Sequence, residues 1–208
     1  MNYLAHAYLS FNHPPVLVGN MISDFVKGKN KFAYTPQVQT GILLHRFIDS
    51  FTDTHPVTLE AKKVFRPAVG LYSGAFMDIV YDHFLALDAT ELPENEWMRF
   101  AGETYQTLAA FRDILPERFA RQLPYMTAQN WLYNYRFEKG VENSFKGLAK
   151  RAAYLQSSSG AYLCFLKEYD YLSASYQAFF KDVKIFAADR LMELLNAPAA
   201  IFVPKNGL

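Results

Sequence analysis

The stretch GILLHRFIDSFTDTHP, residues 41–56, places two imidazoles, a guanidinium and two carboxylates in a segment whose apolar residues would bury well without them. On a helix each residue turns the chain by about 100°. Taking Leu44 as origin, Phe47, Ile48 and Phe51 fall within roughly 60° of it, while His45, Asp49 and Asp53 fall together at roughly 100° to 180°. The polar groups therefore form their own strip beside the one that packs. His45 and Asp49, one turn apart, can reach a single point above the helix.

A second segment repeats the pattern. In GAFMDIVYDHFLAL, residues 74–87, Asp78 and Asp82 sit one turn apart with His83 adjacent, among Phe76, Ile79, Val80, Phe84 and Leu87. Acids in so apolar a run cannot all face water, and a buried carboxylate needs a cation, a proton or hydrogen bonds. Two further segments contribute: His6 within the apolar run 3–9, and Asn20 with Asp24 in GNMISDFVKGK. Asp24 could also cap a helix or pair with Lys27. Imidazole and carboxylate ligands without thiolate suit Mn²⁺, Fe²⁺, Mg²⁺ or Zn²⁺ in a catalytic setting. Acids beyond the ligands would orient imidazoles or serve as general base. The constellation points to a metal-dependent hydrolase. Its rival is a closed polar network in a non-catalytic helical binding protein.

Helical periodicity dominates the elements that must position these groups. Residues 2–11 read as a short helix stopped by Asn12, His13 and the Pro14-Pro15 pair, and 19–25 as a second, ended by Gly28. Pro36 opens a helix to about Asp53 and Pro56 another to about Phe65. Helices follow at 74–87, 96–115, 130–137 and 141–155. A Ser-Ser-Ser-Gly loop at 157–160 feeds one long helix, about 161–195, and the last ten residues form a surface tail. Strand signals are scarce. The expected fold is all-α: a single-domain helical bundle spanning 1–208.

Composition narrows the function. The chain of 208 residues is 51% hydrophobic with a formal net charge of +1, which gives no general attraction to nucleic acid or anionic membranes. No apolar run is long enough to span a membrane, and the N-terminus lacks the pattern of a signal peptide. The single Cys164 sits among Leu163, Phe165 and Leu166, a reduced and inert thiol that suits the cytoplasm. No phosphate loop ending in Lys-Ser or Lys-Thr and no G-x-S-x-G elbow occurs. His13 precedes the Pro pair on the surface. His55 lies at a helix junction, open either to substrate or to a purely local role.

The ordered motifs NYLAH (2–6), GNMISDFVKG (19–28), HRFIDSFTD (45–53) and DIVYDHFL (78–85) closely resemble those of the bacterial acyl carrier protein phosphodiesterases. That family is a divergent branch of the His–Asp metal phosphohydrolases. WLYNYRFEKGVENSFKGLAKR (131–151) extends the resemblance, so the motifs cover about residues 1–151. The resemblance implies hydrolysis of the phosphodiester joining 4′-phosphopantetheine to a serine of holo-acyl carrier protein, with a divalent cation, Mn²⁺ favoured and Mg²⁺ or Fe²⁺ as alternatives. Carried over by motif, Asp24, His45, Asp49, Asp78, Asp82 and His83 form the metal and catalytic set, with His6 and Asn20 close by. The wider superfamily has a His followed directly by Asp; here Arg46 follows His45, and Asp82-His83 is reversed.

On this expectation His45, Asp49, His83 and Asp24 hold the ion, with His6 beside them. Asp78 or Asp82 takes a proton from water or fixes an imidazole. Arg46 either binds a phosphoryl oxygen or pairs with Asp49 or Asp53. Acyl carrier proteins are acidic, so a docking surface should be basic. Lys27 and Lys29 follow the Asp24 motif, with Lys31 behind them, and Lys62 and Lys63, with Arg66, follow the His45 motif. A phosphohydrolase of nucleotides or other small phosphoesters would keep the site without needing these lysines.

Overall fold

The computed structural model describes residues 1–198; the segment 199–208, where a surface tail was expected, lies outside the described residues. Twelve α-helices and five short 3₁₀ turns account for the described elements, and no strand occurs among them. The helices are α1 (Tyr3–Tyr8), α2 (Pro14–Ile22), α3 (Pro36–Thr54), α4 (Pro56–Ala61), α5 (Arg66–Val69), α6 (Ser73–Leu87), α7 (Glu96–Ala110), α8 (Glu117–Ala128), α9 (Trp131–Asn134), α10 (Glu138–Arg151), α11 (Ser159–Lys167) and α12 (Tyr169–Leu195). One contiguous apolar cluster runs through them, with Leu4, Val18, Ile42, Ile48, Phe76 and Phe179 in its interior.

Prolines set several helix starts. Pro14-Pro15, Pro36 and Pro56 each occupy a first-turn position, where the missing N–H has no partner to lose. The Pro14-Pro15 pair, expected only to stop the first helix, thus opens the second. Between them Phe11 and Asn12 take left-handed backbone (φ 49° and 59°), which turns the chain back on itself.

Helix α2 packs on α3 more extensively than any other pair. The contact is backbone on backbone. A Cβ on Gly19 would lie 2.0 Å from the Val38 carbonyl oxygen, and one on Gly41 would lie 2.0 Å from that of Val16. Only glycine permits the approach. Helix α12 lies along α3 and α4, and α1 sits against α2 and α6.

Two further elements differ from the sequence reading. Residues 117–128, left without an assignment, are helical although Pro124 lies inside. Phe119, Leu123 and Met126 bury one stripe there, which outweighs the local cost of proline. The expected long C-terminal helix is divided at Glu168. The break directs Tyr169 onto His83, whose Nε2 its hydroxyl meets at 2.8 Å.

Candidate metal centre

His6 from α1 and His45 from α3 stack face to face, 3.8 Å between ring centroids and 15° between planes. Asp49 bridges them, its Oδ1 3.1 Å from His6 Nε2 and its Oδ2 3.0 Å from His45 Nε2. Asp24, from the 3₁₀ turn Ser23–Phe25 that ends α2, approaches His45 Nε2 at 3.2 Å. Among the described residues, His6, His45 and Asp49 bring ligand atoms within 4.8 Å of one another.

The protonation of His45 follows from its neighbours. Its Nδ1 lies 2.7 Å from the carbonyl oxygen of Asn20, which can only accept, so Nδ1 carries the hydrogen. In a neutral ring Nε2 would then present a lone pair to two carboxylates. A cation must resolve this. As a proton, it raises His45: burial opposes the charge, but hydrogen bonds and charges of Asp24 and Asp49 outweigh it and bring the pKa to about 9. His6 is driven the other way, to about 4, by burial and then by the charge of the stacked His45. The pair therefore holds one positive charge at neutral pH.

The acids respond to the same charges. Burial works against an ionised Asp49, but His6, the α-amino group of Met1 and His45 hold its carboxyl far below the ordinary range. The hydrogen bond to His45 lowers Asp24 despite burial. Asp78 Oδ1 accepts from the Met1 α-amino group at 3.0 Å, and Asp49 Oδ1 lies 3.4 Å from the same nitrogen. Burial still raises the pKa of Asp78. Two imidazoles with carboxylate oxygens, gathered at a point where acceptors already face each other, are a donor set that fits a divalent cation. His45 meets the usual requirement that a ligating imidazole donate its other N–H to a fixed acceptor. His6 Nδ1 is buried and has no such partner.

Other expected members lie elsewhere. Asp82 is fully buried and accepts the backbone N–H groups of Asn2, Leu4 and Ala5 at 3.2, 2.8 and 3.2 Å. Burial raises it to about 7 even against those donors. Its place is at the N-terminus of α1, anchoring the helix that carries His6, and its oxygens are not among the gathered ligand atoms. His83 points away from the cluster. Its Nδ1–H donates to the Tyr135 carbonyl oxygen at 2.7 Å, leaving Nε2 to accept from Tyr169, and burial lowers its pKa. Both expected ligand assignments therefore meet side chains already committed to other partners. On α6 Asp82 shares the face of Asp78, about 40° around the helix, but is claimed by the N–H groups of α1, whereas His83 lies about 140° away from Asp78.

Arg46 is exposed and donates from Nη2 to the Val26 carbonyl oxygen at 2.9 Å, tying α3 to the loop behind Asp24. Lys27 and Lys29 are exposed on that loop. Lys62 and Arg66 line a surface cavity of about 610 Å³ together with Asp53, one turn beyond Asp49. Lys63 is held by both oxygens of Glu60. His55 Nε2 meets Asp182 at 3.2 Å, and its ring packs tilted against Phe51 and edge-on to Phe179.

Sequence reasoning missed the Asn20 carbonyl as the acceptor that fixes His45, and the two glycines that let it approach. Glycines one residue before Asn20 and four before His45, inside helices, were the available signal.

A helical fold that converges His and Asp side chains from α1, the turn that ends α2, and α3 defines a candidate metal-dependent hydrolase. The acyl carrier protein phosphodiesterase family model matches residues 1–183, and the chain belongs to that family. Relatives named acyl carrier protein phosphodiesterase include one from Photorhabdus laumondii, 32% identical over 78% of this chain and 82% of its own. Another, from Salmonella agona, is 30% identical over 92% of this chain and 100% of its own. A third, from an Enterobacter species, is 30% identical over 91% and 99%. No solved structure matches the chain.

Proposed function

We propose that this protein hydrolyses the phosphodiester between 4′-phosphopantetheine and the serine of holo-acyl carrier protein, releasing apo-acyl carrier protein and phosphopantetheine. Family membership supplies the substrate class. The observation that carries the chemistry is the meeting of His6, His45 and Asp49, with Asp24 opposite, around a position that demands a cation.

His45, Asp49 and His6 would hold a divalent ion, Mn²⁺ first, with Asp24 beside them. When bound, such an ion supplies Lewis acidity, drawing charge from phosphoryl oxygens and lowering the pKa of water. The protein's own groups do the rest. The Asn20 carbonyl holds His45 in one tautomer, and Asp82 holds α1 so that His6 stays in stack. Asp24, three-quarters exposed, stands where it can accept a proton from an attacking water. Asp78 is the second candidate for that role. Arg46 has guanidinium N–H groups beyond the one used on Val26 and lies on the exposed side, positioned to bind a phosphoryl oxygen.

Lys27 and Lys29 on one side, and Lys62 with Arg66 on the other, give an acidic carrier protein two basic footholds flanking the cluster. Lys63, neutralised by Glu60, contributes less. No described helix is long and apolar enough to cross a membrane. A carrier-protein substrate and the single Cys164 support action in the cytoplasm.

Incubating the purified protein with holo-acyl carrier protein and Mn²⁺, and weighing the carrier by mass spectrometry, tests the proposal. The expected result is a mass loss equal to phosphopantetheine that stops on chelation. An unchanged carrier mass, with turnover of nucleotides instead, would overturn it.

A further inference from the structure

Apart from the metal cluster, a cavity of about 410 Å³ opens between the start of α1 and the helices α9 and α10. Its volume falls in the range of about 300–1,000 Å³ typical of small-molecule sites. We infer that this cavity receives the pantetheine arm of the carrier protein while the phosphodiester lies at the metal cluster. The assignment rests on the phosphodiesterase reading and adds to it the place of the leaving group.

Position argues first. Asn2 and Ile79 line the cavity, and their chain neighbours Met1 and Asp78 touch each other at the cluster. Tyr3, two residues on from Met1, lines it too, together with Arg151. The start of α1 and the middle of α6 are therefore shared between the cluster and the cavity wall.

Lining chemistry argues second. Pantetheine is an uncharged linear chain with a gem-dimethyl group, a hydroxyl, two amides and a thiol. The cavity offers aromatic surface from Trp131, Tyr135 and Phe137, and side-chain amides from Asn134 and Asn143. Asn143 and Arg151 are exposed on the α10 side of the lining, an amide and a guanidinium able to meet the amide carbonyls of the arm. The wall is built rather than incidental. At Gly140 a Cβ would lie 1.8 Å from the Asn134 carbonyl oxygen, so only glycine lets α10 close on α9 at this point.

Gly147 gives a test that leaves the fold alone. A Cβ there would meet only the Arg151 guanidinium, at an ordinary 3.7 Å, and leucine is the better helix former. Gly147→Leu should therefore fill the cavity without moving the helix. Asn143→Trp, at an exposed position on the same wall, is the second variant. Both should raise KM for holo-acyl carrier protein at least tenfold and abolish the line broadening of free D-pantetheine seen by NMR with wild-type protein. Inhibition by apo-acyl carrier protein, which has no arm, should keep its wild-type constant, as should the Tm rise with Mn²⁺. Wild-type protein that releases no apo-carrier would sink the phosphodiesterase reading, and the cavity assignment with it. Wild-type release with both variants unimpaired would sink the cavity assignment alone.

Discussion

His45 on α3 and Asn20 on α2 are joined by a 2.7 Å hydrogen bond from an imidazole N–H to a backbone carbonyl, and two glycines make that reach possible. Gly41 precedes His45 by one turn, and Gly19 adjoins Asn20. Adding a methyl at Gly41 would drive it into the Val16 carbonyl, where no side chain can yield. Gly41→Ala should cost about 1–3 kcal/mol or more by overpacking, measured by urea denaturation. Separation of the helices should also weaken Mn²⁺ binding. A variant as stable as wild type would show that the two helices need not touch.

Loss of ligands should be separable from loss of fold. Asp49→Asn leaves a side chain of the same shape but removes the charge that the two imidazoles face. For wild-type protein, Mn²⁺ at 100 times its Kd should stabilise the native state by about 2.7 kcal/mol. Asp49→Asn should show almost none of this in a thermal melt, with turnover down by a factor of about 10² or more. An unaltered Mn²⁺ shift would remove Asp49 from the ligand set.

Asp82 should behave in the opposite way. Its carboxylate satisfies three backbone N–H groups at the start of α1, and each buried donor left unpaired costs about 1–3 kcal/mol. Asp82→Asn keeps one accepting oxygen but turns an N–H₂ toward at least one of those donors and should lower metal-free stability by about 1–3 kcal/mol, read by denaturant titration. The folded fraction should still take up Mn²⁺ with close to wild-type affinity. If Asp82→Asn folds normally and loses only the metal, the residue is a ligand after all.

How far the sequence carried this site is clear from these residues. The helical period alone put His45 and Asp49 on one strip, and the structure has them 3.0 Å apart. Local spacing could not say which face of α6 looks at that strip. Asp78 turns toward it, Asp82 to the start of α1, and His83 to Tyr135 and Tyr169, because the partners that claim the last two lie up to 86 positions along the chain. The 117–128 helix was hidden for a similar reason: its proline is a local signal, while Phe119, Leu123 and Met126 are satisfied by distant packing.

Docking should show in salt. If Lys27, Lys29, Lys62 and Arg66 guide an acidic carrier, raising ionic strength from 0.01 M toward 0.15 M shortens the Debye length from about 30 Å to about 8 Å. Turnover of holo-acyl carrier protein at low concentration should fall steeply, and Lys27→Glu with Lys29→Glu should both lower kcat/KM and flatten that dependence. A salt-independent kcat/KM would leave these lysines as ordinary solvated charge.

His83 predicts a pH effect outside the metal centre. Burial lowers its folded pKa below the ordinary value near 6.5, so between those two values the unfolded chain binds the extra proton. Stability should then be fully present above the unfolded pKa and decline as pH falls below it. In His83→Gln the amide can still span Tyr135 and Tyr169 in part, but it does not titrate. That variant should lose about 1–3 kcal/mol at pH 7.5 through its poorer hydrogen bonds. Between pH 7.5 and 5.5 the gap to wild type should narrow, because only wild type is penalised by protonation of the unfolded state. Urea midpoints at several pH values measure it. A gap that widens toward acid would mean that folded His83 prefers its charged form, and the neutral Tyr135–His83–Tyr169 chain would be wrong.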